Sequence, residues 1–464
     1  MPLLRTSASD VTSVVKAVAQ YVPSGGAGKA SKSGGGFAGV FGLGAIARAS
    51  KAGAAASPTT SVVVTSGSSG SSGPSAPPLP LYYEVTPSNW TNSWQPYLQS
   101  LVTTNNPTNA SVIPTISYIT PSLTPLLGDQ AYAGAVLALN GNIYGVPQAG
   151  SDVLIINPST NAVSYGTGGP ALSPALSTQS YWGGALAPNG NIYCSPNGAS
   201  NILIINPTTN TVSYGTGGPA LSPALSTQTY RGAVLAPNGN IYCTPSGGAS
   251  NVLIINPTTN AVSYGTGGAA LSPALSIQSY FGSILAPNGN IYYMPSGASN
   301  VLIINTTTNT VSYTTNSLTP ALSTQTYWGG VLAPNGNIYG IPHSASNILI
   351  INPTTNTVSY GTGGPALSPA LSTLSFGGGF LAPNGNIYCI PSSGSNVLII
   401  NPTTNAVSYG TGGSSVANRG GAQSLGGVIY GVPTGATSTI LVISNTYTQA
   451  PSSNYALSAY ANKF

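Results

Sequence analysis

Apolar and polar positions fall in short blocks along most of this chain, and the blocks recur. Most blocks open with Tyr, a variable residue and Gly. Two to four apolar residues and Ala-Pro-Asn-Gly-Asn-Ile-Tyr follow. After a short polar stretch comes Ser-Asn-Val-Leu-Ile-Ile-Asn-Pro-Thr-Thr-Asn-x-Val-Ser-Tyr. Four runs of strand length therefore lie in each block, with turn residues between them. Gly-Val-Leu-Ala-Pro predicts a first strand. Asn-Gly predicts a hairpin of the I′ type, whose two central residues need positive φ, and Asn-Ile-Tyr returns as the second strand. Val-Leu-Ile-Ile has no polar position, as expected of a strand covered on both faces. Asn-Pro-Thr-Thr-Asn predicts a longer hairpin, with Pro presetting φ. Thr-Val-Ser-Tyr is then the fourth, outer strand.

The Asn-Gly pairs that lead into Asn-Ile-Tyr start at Asn140, Asn189, Asn238, Asn288, Asn335 and Asn384, so the period is close to 50 residues. A seventh, worn copy runs from Gly426 through Ile443. Four short strands at such a period predict a β-propeller with one blade per repeat. Seven copies of the first three strands are present, but only six fourth strands follow them. The missing one is Thr115-Ile116-Ser117-Tyr118-Ile119-Thr120, which precedes the first blade. This N-terminal strand is expected to complete the last blade, closing the ring and removing its open edge.

The Pro-Asn-Gly-Asn-Ile-Tyr hairpin and the Ile-Ile-Asn-Pro-Thr-Thr-Asn-x-Val strand pair resemble the superfamily of seven-bladed propellers with kelch-like, quinoprotein-like and gluconolactonase-like repeats. The resemblance spans residues 111–445. It implies the fold. Members of that superfamily usually carry Asp where this chain has Asn157, Asn206, Asn256, Asn305, Asn352 and Asn401. Its gluconolactonase-like enzymes hold a metal with Glu, Asn and Asp, and this chain has no Glu after Glu84. Their activity is therefore not carried over, nor are the Gly-Gly strand starts and Arg contacts of the kelch type.

Composition changes the picture in one respect. Of 464 residues only nine are Lys or Arg and four Asp or Glu, 3% in all, while 41% are hydrophobic; ordinary domains carry roughly 25% charge. Disorder driven by charge is excluded for the body. No apolar run approaches the roughly 20 residues of a membrane-spanning helix. Arg5, Lys16, Lys29, Lys32, Arg48 and Lys51 lie in the first 80 residues with Asp10, whereas residues 110–445 carry Asp129, Asp152, Arg231 and Arg419. The expected organisation is a basic Gly/Ser/Ala-rich arm and linker (1–80), an aromatic strap (81–110), the propeller (111–445) and a tail (446–464). Within the arm, residues 7–21 have the apolar spacing of a short helix. The arm residues expected to touch a partner are Arg5, Lys16, Lys29, Lys32, Phe37, Phe41, Arg48 and Lys51.

Candidate chemistry is sparse. One His (His343) and four carboxylates leave little for acid–base catalysis, no cluster has metal-ligand spacing, and no cofactor is expected. Cys194, Cys243 and Cys389 each follow Asn-Ile-Tyr and read as small buried hydrophobes. Asn89, Asn109 and Asn305 head Asn-x-Ser/Thr sequons. The informative position is the variable residue after the opening Tyr: Ala133, Trp182, Arg231, Phe281, Trp328, Gly377 and Arg419. First strands line a propeller's channel, so Trp182, Arg231, Phe281, Trp328 and Arg419 are expected to meet at one mouth and to clamp a glycan or peptide there. The expected function is a non-enzymatic structural or interaction protein: a propeller anchored by its arm among the other proteins of a large assembly, a virion component (minor capsid or decoration). The alternative is a secreted or surface lectin-like propeller. The location is then the virion, or the outside or surface of a cell. Nucleic acid and membrane are disfavoured as partners.

Overall fold

The computed structural model describes residues 114–444, apart from most of each long connection between blades (167–174, 216–223, 266–278, 362–369 and 411–416 among them) and a few further loop residues. The arm, the strap and the tail lie outside the described residues, and so do the expectations placed on them.

Seven four-stranded antiparallel sheets form the ring. In the first blade β2 (Tyr132–Leu137), β3 (Ile143–Pro147), β4 (Val153–Asn157) and β5 (Ala162–Gly166) lie side by side in that order. The next five blades repeat this up-and-down order. In the last, β26 (Asn418–Gln423), β27 (Ile429–Pro433) and β28 (Ile440–Ser444) are completed by β1 (Thr115–Ile119). β1 runs antiparallel to β28, with Ser117 opposite Val442. The strand exchange expected from the sequence therefore closes the ring. First strands of neighbouring blades touch all the way round, β2 meeting β26. They are the innermost strands.

Burial follows the same order. Third strands such as Val153–Asn157 are buried except at their last residue, because blades stack on both faces of them. Outer strands such as Ala162–Gly166 alternate between exposed and half-buried positions. The three cysteines are buried and unpaired, and burial pushes their thiols up.

One turn differs from expectation. In the Asn-Gly hairpins only Gly has positive φ, for example Gly190 at 84°. The Gly190 amide donates to the Ala187 carbonyl (3.0 Å) and the Ala187 amide to the Asn191 carbonyl (2.8 Å). The loop is thus three residues long, a type I turn followed by a left-handed Gly bulge, rather than a two-residue I′ turn. Pro188, with φ near −65°, fits the first central position of this turn, and Leu139 takes the same place in the first blade, where the Gly141 amide donates to the Ala138 carbonyl (3.0 Å).

The repeated polar residues join the blades. Asn140 donates to the Tyr144 hydroxyl (2.9 Å) and to the Pro207 carbonyl of the next blade (2.9 Å). Tyr144 in turn donates to Asn210 Oδ1 (2.6 Å). Asn210 has φ 55°, a left-handed conformation that Asn tolerates better than most residues. The unit recurs at Tyr193–Asn260, Tyr242–Asn309, Tyr292–Asn356 and Tyr339–Asn405. Tyr430 closes the circle onto Asn161 of the first blade (2.8 Å). Asn157 and its equivalents shape the same turns: Asn157 Oδ1 accepts from the amides of Ser159 and Thr160.

Candidate functional site

Each first strand carries a bulge just after its opening residue. Pairing skips from Tyr132 to Ala135 in the first blade and from Tyr181 to Gly184 in the second. The two skipped residues are the variable one and a Gly with positive φ, such as Gly183 (72°). A Cβ on Gly183 would lie 3.0 Å from the Gly232 Cα, so the inner strands approach there as backbone against backbone. This close approach carries the variable side chain towards the mouth. The last blade obeys the same rule: pairing skips from Asn418 to Gly421, which places Arg419 at the variable position and Asn418 where other blades have Tyr or Phe.

The structure brings all five expected mouth residues together. Phe281 and Trp328 stack with centroids 4.3 Å apart and planes 6° apart. Trp182 meets both edge-on, at 5.2 Å and 6.0 Å. The Arg231 guanidinium carbon lies 4.7 Å from the Trp182 centroid, and that of Arg419 lies 5.3 Å from it. Arg419 also donates to Gln148 Oε1 (2.7 Å). Ala133 packs into the same cluster. Sequence reasoning did not single out Gln148. What remains open is a narrow concavity lined by Trp182, Phe281, Arg419 and the inner-strand glycines, with Trp182 and Phe281 themselves only 7% and 4% exposed.

His343 lies in the bend after the second strand of its blade and is half-buried. Its ring stacks on Trp328, with centroids 3.5 Å and planes 4° apart, and its Nδ1 is buried without a partner. Burial pushes its pKa down to about 4; Arg419 adds to this, and a hydrogen bond with the Phe376 backbone opposes it. The imidazole is thus neutral at pH 7. Arg231 is shifted down by burial and by the charge of Arg419. Among the described residues no three His, Cys, Asp or Glu side chains come together as a metal set. No described helix is long and apolar enough to cross a membrane. Asn305 is exposed, with its side chain accepting from the amides of Thr307 and Thr308.

Fold and mouth together define a seven-bladed β-propeller with one blade-specific opening. Residues 241–426 match a family described as a repeat of unknown function (DUF6923). No curated protein matches the sequence. Solved propellers are similar in fold at low identity. A streptogramin B lyase aligns with TM-score 0.56 and 11% identity, covering 72% of this chain and 98% of its own. Virginiamycin B lyase from Staphylococcus aureus aligns with TM-score 0.56 and 12% identity over 72% of this chain and 100% of its own. The Cps50 (Swd1) β-propeller domain from Myceliophteria thermophila reaches TM-score 0.50 at 9% identity, over 72% of this chain and 100% of its own.

Proposed function

We propose that this chain is a structural interaction protein: a propeller built into a large protein assembly of the virion type and anchored there through residues 1–80. One observation carries the proposal. Among the described residues only Asp152, Arg231 and Arg419 bear a formal charge. Both arginines sit in the channel mouth, which leaves Asp152 as the one charged side chain on the rest of the described surface. Burying a charge in an interface costs several kcal/mol unless it is paired. Ser, Thr, Asn and Gly exact far less, so a surface of this kind is suited to being covered by neighbours. Free in solution it has little net repulsion to keep copies apart.

The test is the state of the full-length protein. Sedimentation should show association that persists in high salt, because no charge drives it. Purified native particles should contain the chain, with residues 1–80 protected from protease. A monomer at high concentration whose arm is cut at once, and which no particle contains, would sink the proposal.

A further inference from the structure

We propose that Asn197-Gly198 is a self-modification site, at which the asparagine loses its side-chain nitrogen as ammonia and becomes aspartate or isoaspartate, while the fold protects the six hairpin Asn-Gly pairs from the same reaction.

Asn-Gly is open to this chemistry because Gly has no side chain to shield its nitrogen or restrict its backbone. The Gly nitrogen gives up its proton to solvent base and attacks the Asn Cγ. A new carbon–nitrogen bond forms, the Cγ–Nδ2 bond breaks and ammonia leaves. Water then opens the resulting cyclic imide at one of its two carbonyls, giving Asp or isoaspartate. The Asn side chain must leave its place and swing onto the next nitrogen, so whatever holds it slows the reaction.

The chain contains seven Asn-Gly pairs, six of them in the hairpins. Asn189 donates to the Tyr193 hydroxyl (2.9 Å) and the Pro257 carbonyl (2.9 Å), and accepts from the Asn191 amide (3.0 Å). An equivalent set holds Asn140, Asn238, Asn288 and Asn335. Asn384 keeps the bonds to Tyr388 and Asn386 and is itself buried. All of these bonds must break before the attack.

Asn197 is held differently. Its Nδ2 reaches Ser180 Oγ at 3.4 Å, and its Oδ1 is buried with no partner. A buried acceptor without a donor is costly, so leaving this place sacrifices little and returns the oxygen to water. Gly198 is exposed, and nothing lies within 4 Å of where its Cβ would be, which opens this side to solvent. Backbone bonding does not separate the sites: the Gly198 amide donates to the Gln228 carbonyl (3.1 Å), as the Gly190 amide does to Ala187 (3.0 Å). Side-chain restraint separates them. The product falls at a sensitive place, because Asn197 forms a β-bridge with Thr229, just ahead of Arg231. Aspartate adds a negative charge there, and isoaspartate lengthens the backbone within the bridge.

Peptide mass spectrometry of the full-length protein, held in mildly alkaline buffer with and without denaturant, follows each pair. Electron-transfer fragmentation separates Asp from isoaspartate. In the native protein Asn197 should convert roughly tenfold or more faster than any hairpin pair. In denaturant all the pairs should convert at similar rates, because the fold no longer distinguishes them. Gly198→Ala should slow Asn197 by roughly tenfold or more through steric hindrance at the nucleophile, and leave the hairpin pairs unchanged; thermal melting checks that this variant is folded. A native hairpin pair converting as fast as Asn197 overturns the proposal. So does a lead for Asn197 that persists in denaturant, or an unchanged rate in folded Gly198→Ala.

Discussion

The frame between blades and the mouth of the channel are built from the same repeats and obey opposite rules. In the frame one solution recurs almost unchanged: Asn140 with Tyr144 reaching Asn210 reappears blade after blade. At the mouth the position before each inner-strand Gly differs nearly everywhere, and Trp182, Arg231, Phe281, Trp328 and Arg419 meet there. The frame must satisfy buried polar groups at every junction, and the geometry of each junction is the same, so one answer serves. The mouth is shared by all blades, and identical side chains around it would collide or repel. Repetition there is replaced by complementarity.

The comparison can be broken most severely at the inner ring. Gly183→Val forces a branched side chain onto a left-handed φ and into the Gly232 backbone. It should cost about 3 kcal/mol or more in denaturant unfolding. Gly190→Ala has the same sign of φ but open space around its Cβ, and should cost only about 1 kcal/mol. Equal losses would show that conformation, and not close approach, makes the ring depend on Gly.

The next effect is at the junctions. Tyr242→Phe removes the hydroxyl that donates to Asn309 and accepts from Asn238; about 1–2 kcal/mol should be lost. Tyr388 accepts from Asn384 but donates to no described residue. Tyr388→Phe should therefore cost clearly less. Similar values for the two would mean that the bond across the junction contributes little.

Smaller again is the pH response of the mouth. His343 has its pKa lowered to about 4 by burial in the folded protein, against about 6.5 unfolded. Between those values the unfolded chain binds the proton and the folded one does not, so stability is full above about pH 6.5 and falls as pH drops towards 4. The loss is about 1 kcal/mol once partial exposure is discounted. Melting temperatures from pH 7 to 4 should show the fall, and His343→Gln should flatten it. The smallest effect belongs to Arg231→Gln, which relieves a like-charge contact and should leave stability within about 0.5 kcal/mol of wild type. A large loss there would place Arg231 in the frame.

Much of the frame was legible because its signals are local. Val-Leu-Ile-Ile, the Pro-Asn-Gly-Asn hairpin and the spare strand at Thr115–Ile119 each announce themselves within a few residues, and the period supplies the blade count. The hairpin is not the I′ turn that Asn-Gly alone predicts, because the pairing of Ala187 with Asn191 leaves three residues in the loop and only the last, Gly190, takes the left-handed conformation. The Tyr–Asn junctions were not legible, since Tyr144 and Asn210 lie in different blades and nothing local pairs them. The Trp328–His343 stack was hidden for a related reason: Trp328 comes from a first strand and His343 from the bend after the second, and only the fold stacks their rings.

Periodicity by itself determined the blade, the number of blades and the closure by β1, because strand, turn and repeat length are properties of short segments multiplied along the chain. The tertiary structure decided what happens where all blades converge. Only there do side chains from residues as far apart as Trp182 and Arg419 compete for one small volume, and their packing and charge depend on every partner at once.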